Sequence, residues 1–154
     1  MKKGSTLILR GVVVLLGLII LGLLVFVLPA GLMTDRTGFY KPILLGLYVP
    51  AIPFFIALWQ TMKLLGHIDT NTAFTRAAVG CLGAIKYCAV VIATLFLIGL
   101  PYIYYAAQLD DAPGVMAIGC IIIFASFVIA TFAAVLQGLL RSAVAIKSEN
   151  DLTV

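Results

Sequence analysis

The sequence predicts an all-α, polytopic membrane protein with four transmembrane helices and both termini in the cytoplasm. Three observations predict this fold class: a hydrophobic fraction of 64%, a charged fraction of only 10%, and four long apolar segments. A soluble domain typically carries about 25% charged residues. After four spans of about 20 residues each, the remaining polar segments are too short to form a separate catalytic, nucleotide-binding or DNA-binding domain.

The first apolar segment is predicted to span residues 7–28 and to end at Pro29, because proline cannot continue a helical hydrogen-bond ladder. The alternative at this position is a cleaved signal peptide after Lys2 and Lys3. The segment is longer than the roughly 7 to 15 apolar residues of a signal peptide and lacks an obvious small-x-small cleavage box. We therefore expect a retained helix.

The second span is predicted at residues 42–65, with Pro42 in the first helical turn. Pro50 and Pro53 fall inside this apolar stretch. Each removes a backbone donor, so the sequence predicts a kinked helix whose freed carbonyls are satisfied by neighbouring helices or water.

The third and fourth spans are predicted at residues 88–105 and 115–140. The third helix is expected to begin earlier, near Thr75, because a threonine hydroxyl suits the N-cap position. The fourth helix is expected to continue past the membrane to about Lys147. Both helices therefore extend into the cytoplasm, and residues 148–154 form a cytoplasmic tail.

The orientation follows from the basic residues, which favour the cytoplasmic side in short loops. Eight lie on the side of the termini and the middle loop, against two on the opposite side, Arg36 and Lys41. This bias predicts a multi-pass protein of the cytoplasmic membrane with both termini inside. The eight residues are Lys2, Lys3, Arg10, Lys63, Arg76, Lys86, Arg141 and Lys147.

No catalytic constellation is evident, and we expect no enzymatic activity, cofactor, metal site or direct nucleic-acid binding. All six acids lie in loops or the tail, which argues against a proton-coupled exporter with a carboxylate in mid-membrane. His67 and Asp69 supply fewer ligands than a metal site needs. The three cysteines form no CxxC motif. Lys86 is expected to extend its flexible stem to the membrane interface.

Small residues recur at every fourth position of the fourth helix. Such side chains let another helix approach closely, and we expect them to line a helix-packing face. The partner is either another helix of the same chain or a second copy in a homo-oligomer. The residues are Ser126, Ala130, Ala134, Gly138 and Ser142.

The outer loop Asp110–Gly114 combines two carboxylates with a Pro-Gly turn. Asp111 or its neighbour is predicted to cap the fourth helix and to complement its dipole. A divalent cation would need more oxygen ligands than one pair of aspartates offers.

Several segments make the chain resemble an uncharacterised bacterial integral-membrane family, domain of unknown function 2975. They are "IPFFIALWQTMKLL", the loop "IDTNTAFT", the outer "DDAPG", the ending "IKSENDLTV", and the early Leu28-Pro29. The resemblance implies four spans in a bacterial membrane. It also implies a partner, because members are often encoded beside a small Cro/C1-type helix-turn-helix regulator. Where members commonly have Phe-Ser followed by an acid or amide, this chain has Phe74-Thr75-Arg76.

Two hypotheses follow from the sequence and the resemblance together. In the first, the protein is a regulatory or interaction protein that sequesters such a regulator at the inner face, using the middle loop and an extended tail. In the second, it is a small transport, lipid-binding or channel-like protein that works through its helices, with membrane lipids as partners. The predicted partner-binding residues are Asp69, Asn71, Glu149, Asn150, Asp151, Leu152 and Val154.

Overall fold

The computed structural model describes the backbone of residues 2–152 and the side chains of residues 4–152. This part of the chain is helical without strands, and four helical segments are long and apolar enough to cross a membrane, as predicted. The elements are α1 (Lys2–Gly22), a π-helical turn (Leu23–Val27), α2 (Leu28–Thr34), α3 (Lys41–Gly46), α4 (Tyr48–Asp69), α5 (Arg76–Leu109) and α6 (Pro113–Leu152).

The first span does not end at Pro29, because the helix continues to Thr34. The π-helical turn makes this possible: the N–H of Leu28 donates to the carbonyl of Leu23, five residues earlier. At that spacing the next donor, residue 29, would face the Leu24 carbonyl, but proline has no N–H. The Tyr48 hydroxyl takes its place and donates to the Leu24 carbonyl at 3.0 Å.

The second span is interrupted at Leu47, between α3 and α4. Pro50 lies in the first turn of α4, where a missing N–H is tolerated, and Pro53 lies inside the helix. The interruption therefore falls just ahead of the proline pair that predicted it.

The last two helices extend beyond their apolar spans, as predicted. α5 begins at Arg76, and the Thr75 hydroxyl accepts a hydrogen bond from the Ala78 N–H at 3.4 Å, which confirms the predicted cap. The 40 residues of α6 correspond to about 60 Å at 1.5 Å per residue.

The tail differs from the prediction of an extended segment, because α6 remains helical to Leu152. The sequence from Arg141 to Leu152 contains no glycine or proline that would end a helix. Glu149, Asn150 and Asp151 therefore lie on a helix. Val154 lies outside the described residues.

The transmembrane segments pack mainly against their neighbours in the sequence: α1 on α4, α4 on α5, and α5 on α6. Among the described residues α1 and α6 share no substantial interface, so the helices form an open row and not a closed bundle. Successive spans run in opposite directions. We call the end that holds the first and last described residues, Lys2 and Leu152, together with residues 66–76, the termini end. The end that holds residues 35–40 and 110–112 is the Asp110 end.

The face of α6 that packs within the chain contains only part of the predicted stripe. Ser126 and Ala130 are buried, whereas Ala134, Gly138 and Ser142 are exposed. With 3.6 residues per turn, a strict four-residue step drifts by about 40° each time and leaves the contact face. The buried positions alternate three- and four-residue steps and face α5 of the same chain. They are Gly119, Ile123, Ser126, Ala130 and Ala133.

Candidate functional site

Asp69, predicted to bind a partner, is held within the chain at the end of α4. Its Oδ2 lies 2.8 Å from Nη2 of Arg10 on α1, and its Oδ1 accepts a hydrogen bond from the Thr6 hydroxyl. Thr6 is buried, so this contact is part of the α1–α4 interface. The structure therefore gives Asp69 a role in joining two helices.

Asn71 ends α4. Its φ of 58° is left-handed, which asparagine tolerates better than most residues. The N–H of Asn71 donates to Ile68 O at 3.3 Å and that of Thr72 to His67 O at 2.8 Å. This pattern is a Schellman motif, which satisfies the last carbonyls of the helix.

The rest of the middle loop is fixed by its own hydrogen bonds. His67 Nδ1 lies 3.1 Å from the Thr72 hydroxyl, and the Thr75 hydroxyl donates to Thr72 O at 2.7 Å. Within residues 4–152, no three His, Cys, Asp or Glu side chains come together as a metal site would require. The loop is therefore an ordered platform beside α6.

A groove forms where this platform meets the last turns of α6. Its volume is about 310 Å³, and Asp151 and Leu152 of the predicted partner-binding set line it. Glu149 and Asn150 are on the same helical turns and interact within the chain. We call this cavity the docking groove; its lining residues are Phe74, Val144, Lys147, Ser148, Asp151 and Leu152.

Four lining residues of this groove were not among the predicted partner-binding residues: Phe74, Val144, Lys147 and Ser148. Of these, only Phe74 comes from the middle loop. Its side chain is 54% exposed, and that of Leu152 is 83% exposed. One feature of the sequence could have indicated Phe74, because it is an aromatic residue at the end of a polar loop, directly before the helix cap Thr75.

A second groove lies beside it, between the start of α5 and the end of α6. Its volume is about 590 Å³, and Arg76 and Arg141 both line it. The two arginines are 65 residues apart in the sequence, so only the antiparallel pairing of α5 and α6 brings them together. We call this cavity the arginine groove; Val79, Val144, Ala145 and Ser148 complete its lining.

Lys86 contacts α6 across the α5–α6 interface. Its Nζ donates to Gln137 Oε1 at 3.0 Å and lies 4.9 Å from the centre of the Tyr87 ring. Gln137 Nε2 in turn donates to Val79 O at 3.5 Å. A Cβ added to Gly83 would lie 2.6 Å from this Nε2, so glycine leaves room for the amide.

At the Asp110 end, Asp35 organises the loop between the first two spans. Its Oδ1 accepts from the Thr37 hydroxyl at 2.8 Å and from Gly38 N–H at 3.1 Å, and its Oδ2 accepts from Tyr40 N–H at 3.0 Å. Desolvation raises the pKa of Asp35, but these hydrogen bonds outweigh it and leave the pKa below the ordinary 3.8.

Asp110 contacts this loop across the helices, because the Tyr40 hydroxyl donates to its Oδ2 at 2.9 Å. That hydrogen bond raises the pKa of Tyr40 above its ordinary value, and desolvation and the negative charges of Asp110 and Asp35 add to the effect. Asp111, with φ 47°, follows the end of α5. The predicted cap of the fourth helix by Asp111 or its neighbour Asp110 is therefore wrong, since Ala112 directly precedes α6.

An apolar groove of about 340 Å³ opens between the interrupted second span and α5. Leu47, at the break of the second span, lines it, and Gly46 and Gly99 have no side chains to fill the space. We call it the apolar groove; Pro42, Pro50, Phe96 and Tyr102 are among its other lining residues.

Comparison with known proteins gives two matches. The family described as "Protein of unknown function (DUF2975)" matches residues 29–154. A Bacillus subtilis (strain 168) protein named "Uncharacterized membrane protein YoaS" is 49% identical, and the alignment covers 100% of each chain. No solved structure matches the chain significantly.

Proposed function

The chain belongs to the DUF2975 family, and we propose that it is a non-enzymatic docking protein of the bacterial cytoplasmic membrane that holds a small helix-turn-helix regulator at the inner face. The observation that carries this proposal is the docking groove at the termini end. The regulator as partner comes from the family resemblance, and the inner face comes from the excess of basic residues at this end.

The reach of α6 supports docking at this end. The helix continues for 12 residues beyond Leu140, or about 18 Å, where the chain is polar enough to leave the membrane. A soluble partner therefore has access to the groove without entering the bilayer.

The lining chemistry suits an amphipathic helix. Phe74, Val144 and Leu152 provide apolar contacts, while Lys147 and Asp151 place opposite charges on the walls. An apolar helix face in such a groove is a common mode of peptide recognition. Helix-turn-helix domains are built from short helices of this kind.

The experiment is a detergent pull-down from native membranes with an N-terminal tag, followed by mass spectrometry. Wild type should recover a small DNA-binding regulator, and deletion of Ser148 to Val154 should lose it. The sharper test pairs Leu152→Ala with Ile146→Ala, because Ile146 is 67% exposed on the same helix but does not line the groove.

We expect Leu152→Ala and Phe74→Ala to reduce recovery and Ile146→Ala to leave it unchanged. Recovery of no regulator by wild type, or equal recovery by all four proteins, would contradict the proposal.

The apolar groove favours a second candidate function, which is binding or transport of a lipid acyl chain. The groove lies in the second and third spans, where acyl chains are the surrounding medium, and its lining is almost wholly apolar. Gly99→Leu should fill it and reduce the lipid that co-purifies with the protein or the flux it supports. Gly80→Leu is the control, because Gly80 lies on the same helix with open space around it.

A further inference from the structure

The geometry points to a phospholipid headgroup site in the arginine groove, with Arg76 and Arg141 as the residues that bind the lipid phosphate. This inference is independent of regulator docking. It concerns a different ligand and a neighbouring cavity, which shares only Val144 and Ser148 with the docking groove.

The first support is a pair of unpaired cations. Within the part of the chain that the structure describes, neither guanidinium forms a hydrogen bond or an ion pair, whereas Arg10 is bound by Asp69. Both arginines line one cavity of about 590 Å³ although they come from different helices. Arginine presents a planar set of donors that matches two oxygens of a phosphate.

The second support is the start of α5, which lies at the same cavity. Arg76 is the first residue of this 34-residue helix, and the Thr75 side chain satisfies the N–H of Ala78. The amides of Arg76 and Ala77 precede the first intrahelical hydrogen bond and carry the positive end of the helix dipole. A helix N-terminus of this kind favours a bound anion.

The other residues that line the groove favour the phosphate of a lipid over free inorganic phosphate. Val79, Val144 and Ala145 form apolar walls, and none of the described residues that line the cavity carries a carboxylate. Arg141 is the first charged residue of α6, directly after its apolar span. The groove therefore lies where the helix passes from the acyl chains to the headgroups, with walls for the glycerol and upper acyl carbons.

The test measures lipid retention by native mass spectrometry of the full chain in detergent, with added phosphatidylglycerol or phosphatidylcholine. We expect wild type to retain phosphatidylglycerol. Arg76→Gln and Arg141→Gln should each weaken retention by about tenfold, since hydrogen bonds to charged groups are strong. Arg141→Lys should fall between, because it keeps the charge and loses the paired donors.

The matched control is Lys63→Gln, which removes one positive charge from the same end of the molecule but not from the groove. Lys63 lies exposed on α4, with Nζ 5.9 Å from the centre of the Trp59 ring. Unchanged retention in this variant supports a specific site. An equal loss in Lys63→Gln would show a general surface attraction and overturn the proposal.

Two further outcomes would also overturn it. One is equal retention by wild type and the double variant Arg76→Gln/Arg141→Gln. The other is displacement of the lipid by millimolar inorganic phosphate, because the site would then bind a free anion. Circular dichroism of each variant checks that the helices are intact, which we expect since both arginines are exposed.

Discussion

The guanidinium Nη2 of Arg10 and the carboxylate Oδ2 of Asp69 lie 2.8 Å apart and join the first span to the end of the second. The pair is partly accessible, with 38% of the Arg10 side chain and 24% of the Asp69 side chain exposed. Asp69 is the only ion-pair partner of the Arg10 guanidinium among the described residues. The Nε of Arg10 is buried and has no hydrogen-bond partner there.

Asp69→Asn should destabilise the contact between α1 and α4. A double-mutant cycle with Arg10→Gln should give a coupling free energy of about 1 kcal/mol. Fully exposed ion pairs stabilise a fold by less than this and buried pairs by more, and this pair is partly exposed. Thermal unfolding in detergent measures the coupling. Asp151→Asn, at the exposed end of α6, is the control. If Asp69→Asn and Arg10→Gln change the free energy of unfolding additively, the coupling is refuted.

Gly83→Ala should destabilise the α5–α6 interface, because the added Cβ would displace the Gln137 amide. We expect a free energy of unfolding about 1 to 2 kcal/mol below that of Gly80→Ala, because the Gln137 amide loses its two hydrogen bonds. Gly80→Ala is the control, since a Cβ at that position meets open space. Unfolding in detergent compares the variants. In a Gln137→Ala background the difference should disappear, and a persisting difference would point to another cause.

Acid should weaken the loop of Asp35. The folded-state pKa of this carboxyl lies below its ordinary 3.8, so its hydrogen bonds stabilise the fold above about pH 4. The stabilisation is lost as the pH falls through the lower, folded-state pKa. Wild type should therefore lose thermal stability more steeply below about pH 4 than Asp35→Asn. Parallel pH profiles of the two proteins would contradict this expectation.

The orientation of the helices can be tested by cysteine labelling. With Cys81, Cys88 and Cys120 replaced by alanine, the Thr37→Cys variant should react with an impermeant maleimide in intact cells. The Ser148→Cys variant should react only after the membrane is opened. The opposite pattern would place the docking groove and the arginine groove on the outer side and rule out the proposed partner.

The sequence predicted the features that depend on local chemistry. The four apolar segments predict the four spans, and the position of Thr75 predicts the cap of the third helix; the structure confirms both. The interruption near Pro50 also followed from the chain, because the missing N–H acts within one helical turn. Pro29 was the exception: its effect is offset by the Tyr48 hydroxyl, which comes from another span.

The features missed by the sequence depend on how the helices are aligned. Asp69 and Asn71 look like exposed polar loop residues, but one is bound by Arg10 and the other forms the end of α4. Likewise, Arg76 and Arg141 line one cavity only because α5 and α6 pair in one register. A pattern of residue types along one helix contains no information about that register.

The open row of helices has a consequence for biogenesis. Each span packs on the one synthesised just before it, so every interface can form as soon as its second helix leaves the translocation channel. The polar contacts between spans therefore form with the next span and not with one synthesised much later. The ion pair between Arg10 and Asp69, for example, can form once the second span is complete. Short sequence separation between packing partners favours rapid assembly and limits the time for which aggregation-prone surfaces are exposed.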